Sequence, residues 1–196
     1  AGEILTTRVD GEDVRVGHTS RKQLGRLPFE KVYETWPGRH IFVNIDVGLV
    51  ELEDATAWNP AVFKVGRLGP LADLSVLNLS LNIIGCPVAA HGCASGRLAG
   101  RVAALFYRYK SVGGFEYVAD FLIGSRDDEP LLTQPGDSGL VWVAESDDVS
   151  RDRSPLAVQW GGAVFAASDA ARLPFALATN LSTVCRELQV DLFRAR

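Results

Sequence analysis

Thr133-Gln134-Pro135-Gly136-Asp137-Ser138-Gly139-Leu140-Val141-Trp142 joins a polar loop to an apolar, β-branched run through a Gly-Asp-Ser-Gly tetrapeptide. A sharply bent loop that must expose one hydroxyl and aim backbone N–H groups at one point needs these residue types. Gly136 can take positive φ and bring its N–H beside that of Ser138, while Gly139 leaves room for an approaching chain. Ser138 is therefore the candidate nucleophile. A serine hydroxyl attacks only when a base takes its proton and donors hold the oxyanion that forms, here the N–H groups of Gly136 and Ser138. The competing reading is a plain turn, because Asp, Ser and Gly form turns on their own account. A base and an orienting acid upstream decide between the two.

Composition narrows the setting. The chain has 196 residues, 47% of them hydrophobic, and a formal net charge of −4. That is enough apolar material for one good core or two small ones packed together. No basic block suggests a nucleic-acid partner, and no apolar run approaches the length that crosses a bilayer. Cys86, Cys93 and Cys185 are an odd number at spacings that match no zinc pattern, so neither a disulfide framework nor a metal is expected. A reducing, cytoplasmic setting is the simpler expectation. The sequence starts at Ala1, contains no Met and shows no charged-then-apolar leader, which reads as a trimmed N-terminus.

Along the chain the pattern is strand after strand. Ile4 to Val9, Asp10-Gly11 and Glu12 to Val16 read as a hairpin, because Asp-Gly suits the two-residue turn whose twist matches antiparallel strands. The second arm leads to Gly17-His18-Thr19. Leu24 to Tyr33 and Ile41 to Leu52 alternate like strands, and Asp46 sits within the second. Prolines and glycines then break the pattern, and Leu74 to Leu81 fits a strand or a short helix. Val88 to Val102 reads as two strand segments around a glycine-spaced bend, followed by strands at Val102 to Tyr109, Phe115 to Ile123, Leu140 to Val143 and Leu156 to Phe165. The charged block Glu145 to Ser154 reads as an exposed hairpin loop. Good helical spacing occurs last, where Leu181, Val184, Cys185 and Leu188 recur behind Asn180 as N-cap. No repeat is visible. Such a count predicts an all-β sandwich or barrel architecture with a C-terminal helix.

His18, Asp46 and Ser138 stand in the order base, acid, nucleophile that one of the convergent triads uses. On these residues the chain resembles the chymotrypsin-like (trypsin-fold) serine peptidases, in their compact disulfide-free bacterial, plant and viral forms. Gly136-Asp137-Ser138-Gly139 is similar to the nucleophile motif. Asp46-Val47-Gly48-Leu49-Val50-Glu51-Leu52 is similar to the strand that starts with the triad aspartate. Gly92 to Val102 resembles the glycine-spaced element that opens the second barrel, and Val164-Phe165-Ala166-Ala167-Ser168 with the last helix resembles the pocket wall and closing helix.

The resemblance implies two six-stranded antiparallel Greek-key barrels, the first incomplete if strands are missing before His18. Residues 1–58 would form the first barrel, 59–80 a linker, 81–180 the second barrel and 181–196 the helix and tail. It implies a serine endopeptidase that acts on a polypeptide through an acyl-enzyme and needs no cofactor. Its pocket would be lined by Thr133, Gln134, Val164, Phe165 and Ala166, all uncharged, which points to small or apolar side chains. Arg97 and Arg101 are the candidates to satisfy Asp137 if it is buried. Three alternatives stay open: a fragment whose base lies outside these residues, an inactive protease-fold module that binds protein, and the product of a self-cleaving precursor.

Overall fold

The computed structural model describes residues 2–36, 40–75, 77–127, 129–145, 153–166 and 172–192. Most of the expected loop between Glu145 and Ser154, part of the stretch after Ala166 and the last four residues lie outside them.

The first hairpin forms as its local chemistry dictates. Strand β1 (Ile4–Val9) pairs with β2 (Glu12–Pro28) across Asp10 and Gly11, both at positive φ, with Val9 opposite Glu12. The strand-like alternation after Leu24 does not continue to Tyr33. Pro28 has no N–H to give to a ladder, and beyond it the chain makes one helical turn, α1 (Phe29–Val32), which buries Phe29 and Tyr33 on one side. Strand β3 (Ile41–Leu52) follows and buries Ile41, Val43 and Ile45 on alternate positions. The linker carries a small hairpin of β4 (Ala61–Val62) and β5 (Gly66–Arg67). The described residues of 74–80 take neither strand nor helix. Asn78 ties them into a turn instead, accepting from the N–H of Ser75 and donating to the carbonyl of Asp73.

The second half closes on itself. Strands β6 (Pro87–Gly92), β7 (Gly96–Lys110), β8 (Glu116–Gly124), β9 (Val141–Ala144), β10 (Ser154–Ala166) and β11 (Arg172–Asn180) run in spatial order 8-11-10-9-6-7, and β7 pairs back to β8. This is a six-stranded barrel whose interior holds Val88, Val102, Phe121, Ile123, Leu131, Trp142 and Leu156. Full closure removes the unpaired edges that an open sheet leaves exposed. The front half supplies only β1, β2 and β3 to this sheet among the described residues. They extend it through a parallel pairing of β3 with β8, Ile41 opposite Glu116 and Val43 opposite Val118. The expected all-β architecture with its C-terminal helix is what the chain adopts.

Helix α2 (Leu181–Leu188) starts where predicted, with the Asn180 side chain accepting from the N–H of Ser182 at 3.2 Å. Its apolar stripe of Leu181, Val184 and Leu188 covers a second core with Phe29, Tyr33, Ile41, Val43, Ile45, Val118 and Val158. Asp120 pins this junction from inside. It accepts from the Tyr33 hydroxyl at 2.9 Å and from the Asn180 N–H at 2.8 Å while only 2% exposed. Burial raises its carboxyl from 3.8 to about 6, against the two hydrogen bonds and the charge of Arg186, which pull it down.

A carboxyl whose folded pKa lies above its unfolded value adds stability that is complete below the unfolded value and disappears as pH rises through the folded one. From 3.8 to about 6 that is on the order of 3 kcal/mol. Asp120→Asn, which does not titrate, is therefore expected to be least stable relative to the native chain at pH 4 and to recover by pH 7. Urea denaturation at both pH values checks this, and an unchanged gap between the two proteins contradicts it.

Candidate active site

The nucleophile turn is built around one buried carboxylate. Asp137 is 1% exposed, and its Oδ1 accepts from the N–H groups of Ala94 and Ser95, each at 3.0 Å. Its Oδ2 accepts from the Ser95 hydroxyl at 2.6 Å and from the Gln134 N–H at 2.8 Å. Burial pushes this carboxyl up, and the Ser95 hydroxyl with the three backbone donors outweighs it, so the group is held below the usual carboxylate range. Arg97 and Arg101, the donors expected from sequence, are not its partners. Arg97 faces Glu145 instead, which also pairs with Arg126. Four neutral donors do the work of a cation: three lie in the bend between β6 and β7, and the fourth, the Gln134 N–H, lies in the nucleophile loop itself.

With Asp137 turned inward, Ser138 is turned outward and is exposed. Gly136 and Gly139 take φ of +105° and +92°, as the bend requires. Neighbouring N–H groups are committed: Asp137 donates to the Gln134 carbonyl at 3.1 Å and Gly139 to the Gln159 carbonyl at 2.7 Å. The N–H groups of Gly136 and Ser138 have no protein acceptor among the described residues.

Two clefts meet at Ser138. One, of about 370 Å³, runs from Ser138 and Gly139 to Asp46 on β3, over a floor of Val158, Leu181, Val184 and Leu188. Asp46 is exposed there. The structure thus brings the expected acid and nucleophile, far apart in sequence, to one cleft. The other, of about 350 Å³, is lined by Thr133, Gln134, Pro135, Ser138, Gln159, Gly161 and Gly162. Thr133 and Gln134 are among its lining residues. Val164, Phe165 and Ala166 do not line it: they lie further along β10, where Val164 is 63% exposed and Phe165 packs on Tyr107 and Phe175. The β10–β11 pairing shifts register between Gln159 and Gly161, and the residues on either side of the shift are the ones that line the wall. Gln159 and the two glycines were missing from the sequence expectation, and the alternation of Leu156 to Phe165 held no sign of that shift.

The expected base is not brought to the site. His18 lies opposite Glu51 in the β2–β3 ladder, with Nε2 3.3 Å from the Glu51 carboxylate. It lines a separate depression with Gly2, Thr19, Ser20, Arg21 and Glu51. Glu51 is five residues beyond Asp46 on an extended strand, roughly 16 Å away at about 3.3 Å per residue, too far for an imidazole to bridge. Gly17 explains the preceding residue: a side chain there would overlap the Glu51 carbonyl. His40, at φ +62°, is exposed just before β3, and His91 packs edge-on against Phe63 at 5.0 Å. None of the three histidines lines either cleft at Ser138.

Cys86, Cys93 and Cys185 are free thiols. Among the described residues no group of three or more His, Cys, Asp or Glu side chains is placed to hold a metal, and no helix is long and apolar enough to cross a membrane.

A closed β-barrel with an exposed serine on a glycine turn at its mouth, and a carboxylate facing it across a cleft, is the class of domain these observations define. Residues 32–191 match the family described as the Nal1 C-terminal domain, and the chain belongs to it. Asp46 and Ser138 fall inside that match and His18 falls outside. A probable serine protease of Bradyrhizobium tropiciagri is 45% identical over 190 residues, covering 92% of this chain. The chain spans about a quarter of that relative's length, 24%.

Proposed function

We propose that the chain is the nucleophile-bearing part of a serine endopeptidase of chymotrypsin-like type, with Ser138 as nucleophile, Asp46 as orienting acid and the N–H groups of Gly136 and Ser138 as oxyanion hole. The observation that carries this reading is the shared cleft of Asp46 and Ser138 beside two uncommitted N–H groups. The relative named as a probable serine protease supports it. In this reading Ser138 Oγ attacks the carbonyl carbon of a peptide bond and gives its proton to a histidine. The carbonyl oxygen becomes the oxyanion held by the two N–H groups. Collapse of the tetrahedral intermediate expels the amine, which takes the proton from the imidazolium, and water then releases the acyl group from Ser138. Asp46 accepts from the other imidazole N–H and holds the tautomer.

The base in this reading is not His18, His40 or His91. It comes from protein outside these residues and enters the cleft between Asp46 and Ser138, over the apolar floor that α2 provides. One observation favours a second reading, in which the domain binds polypeptide without cleaving it: no histidine of this chain lines that cleft. A fluorophosphonate probe separates the two. The longer protein is expected to form an adduct at Ser138 at least a hundredfold faster than this chain alone. Equal, negligible labelling of both folded proteins supports the binding module and removes the peptidase.

A further inference from the structure

Gln159 is a polar side chain inside a barrel, only 3% exposed, on the strand whose backbone meets the nucleophile turn. Trp142, fully buried, donates its indole Nε1–H to Gln159 Oε1 at 3.1 Å. An indole nitrogen only donates, so this bond decides which end of the amide faces the core and turns Nε2 away from it. Nε2 has no protein acceptor among the described residues, yet no fully enclosed polar side-chain atom there lacks a partner. Nε2 therefore keeps a little accessible surface, and Gln159 is one of the residues lining the cleft beside Ser138.

Across this cleft stands Thr133. A side chain built on Gly162 would reach van der Waals contact with the Thr133 hydroxyl, at 3.7 Å, so the two residues border the same space. Among the described residues no Lys, Arg, Asp or Glu lines the cleft. Besides the Gln134 carboxamide and the Ser138 hydroxyl, its polar tips are a fixed N–H donor, from Gln159, and the Thr133 hydroxyl, which donates or accepts. An apolar guest leaves the buried donor unpaired, a loss paid in full because water is displaced. A guest carboxylate meets no cation, and a guest ammonium meets a donor where it needs an acceptor.

We infer that this cleft is a subsite selective for an uncharged carboxamide, a glutamine side chain of the polypeptide on the acyl side of the bond facing Ser138. Its oxygen accepts from Gln159 Nε2 and its NH2 donates to the Thr133 hydroxyl. Gln159 is the specificity-determining residue, and Trp142 positions it. The assignment rests on the proposed peptidase reading for the position of the scissile bond, but the recognition itself needs no hydrolysis. It replaces the small or apolar preference that the uncharged wall residues suggested.

Binding of acetylated tetrapeptide acids, identical except for a final Gln, Glu, Leu or Lys, tests the subsite by titration calorimetry on this chain. The Gln-ended peptide is expected to bind at least tenfold tighter than the Leu-ended one. Gln159→Leu is expected to erase that difference. Gln159→Glu keeps the acceptor for Trp142 and the side-chain size while turning the donor into an acceptor, so the Lys-ended peptide should overtake the Gln-ended one. A native chain that binds none of the peptides at millimolar concentration, or ranks Leu equal to Gln, overturns the assignment, as does an unchanged order in Gln159→Glu. If Gln selectivity holds and Ser138 never labels, the subsite stands and the peptidase reading falls.

Discussion

Ser138→Ala in the longer protein is expected to lower peptide hydrolysis by about 10⁵ to 10⁶ in kcat, because without the hydroxyl no acyl-enzyme forms and only binding and the oxyanion donors remain. Asp46→Asn should cost about 10⁴, since an amide at position 46 presents N–H where the imidazole needs an acceptor and holds the wrong tautomer. The double variant should be no slower than Ser138→Ala alone, because residues that act as one unit do not add. Hydrolysis of a peptide with Gln before the cleaved bond, followed by mass spectrometry with KM and kcat separated, reads all three. Both effects belong in kcat, because both groups act on the reacting bond rather than on the carboxamide that Gln159 and Thr133 would hold. A loss below tenfold for Asp46→Asn would remove Asp46 from the mechanism and leave its place in the cleft incidental. Multiplicative losses in the double variant would mean that the two side chains act separately.

Which parts of this arrangement are legible in the sequence follows from how local their causes are. The Asp10-Gly11 turn, the Asn180 cap and the Gly136 and Gly139 bends are decided within a few residues, and each is found where the residue types place it. Strand alternation tells which face of β3 is buried, so Asp46 is recognisable as an acid at the end of an apolar alternation, Ile41, Val43, Ile45. It does not tell which strand lies next door. The parallel junction of β3 with β8 and the buried contact of Tyr33 with Asp120 depend on that neighbour. His18 reads as a base by its order before Asp46 and Ser138. Order says nothing of register, and the register sets it opposite Glu51. Gln159 reads as the polar member of a strand, and only closure of the barrel on Trp142 turns it inward.

Gly92→Ala is the substitution expected to damage the nucleophile turn most, although it adds one methyl group far from Ser138 in sequence. A side chain at Gly92 would overlap Asp137 Oδ1 and lie 2.6 Å from its Cγ. The carboxylate has no room to retreat, because Ala94, Ser95 and Gln134 hold both oxygens. Expelling it leaves three backbone N–H groups without their acceptor, at about 1–3 kcal/mol for each such group left unpaired, while the Ser95 hydroxyl still has the Leu132 carbonyl at 2.8 Å. The expected total for the three part-buried N–H groups is on the order of 3–5 kcal/mol. Asp137→Asn should cost a similar amount, because an amide NH2 at the Oδ1 position would face the N–H groups of Ala94 and Ser95, and at the Oδ2 position the N–H of Gln134. The pH dependence separates this site from Asp120. The Asp137 pKa is depressed, so its contribution is present above the unfolded value and lost as pH falls through the folded one. The deficit of Asp137→Asn should therefore be full at pH 7 and shrink in acid, opposite in sign to that of Asp120→Asn. Urea denaturation of the two variants from pH 7 down to pH 3 measures both trends. An Asp137→Asn protein within 1 kcal/mol of native stability at pH 7, as about a fivefold change in the folding equilibrium, would show that the carboxylate does not organise the turn.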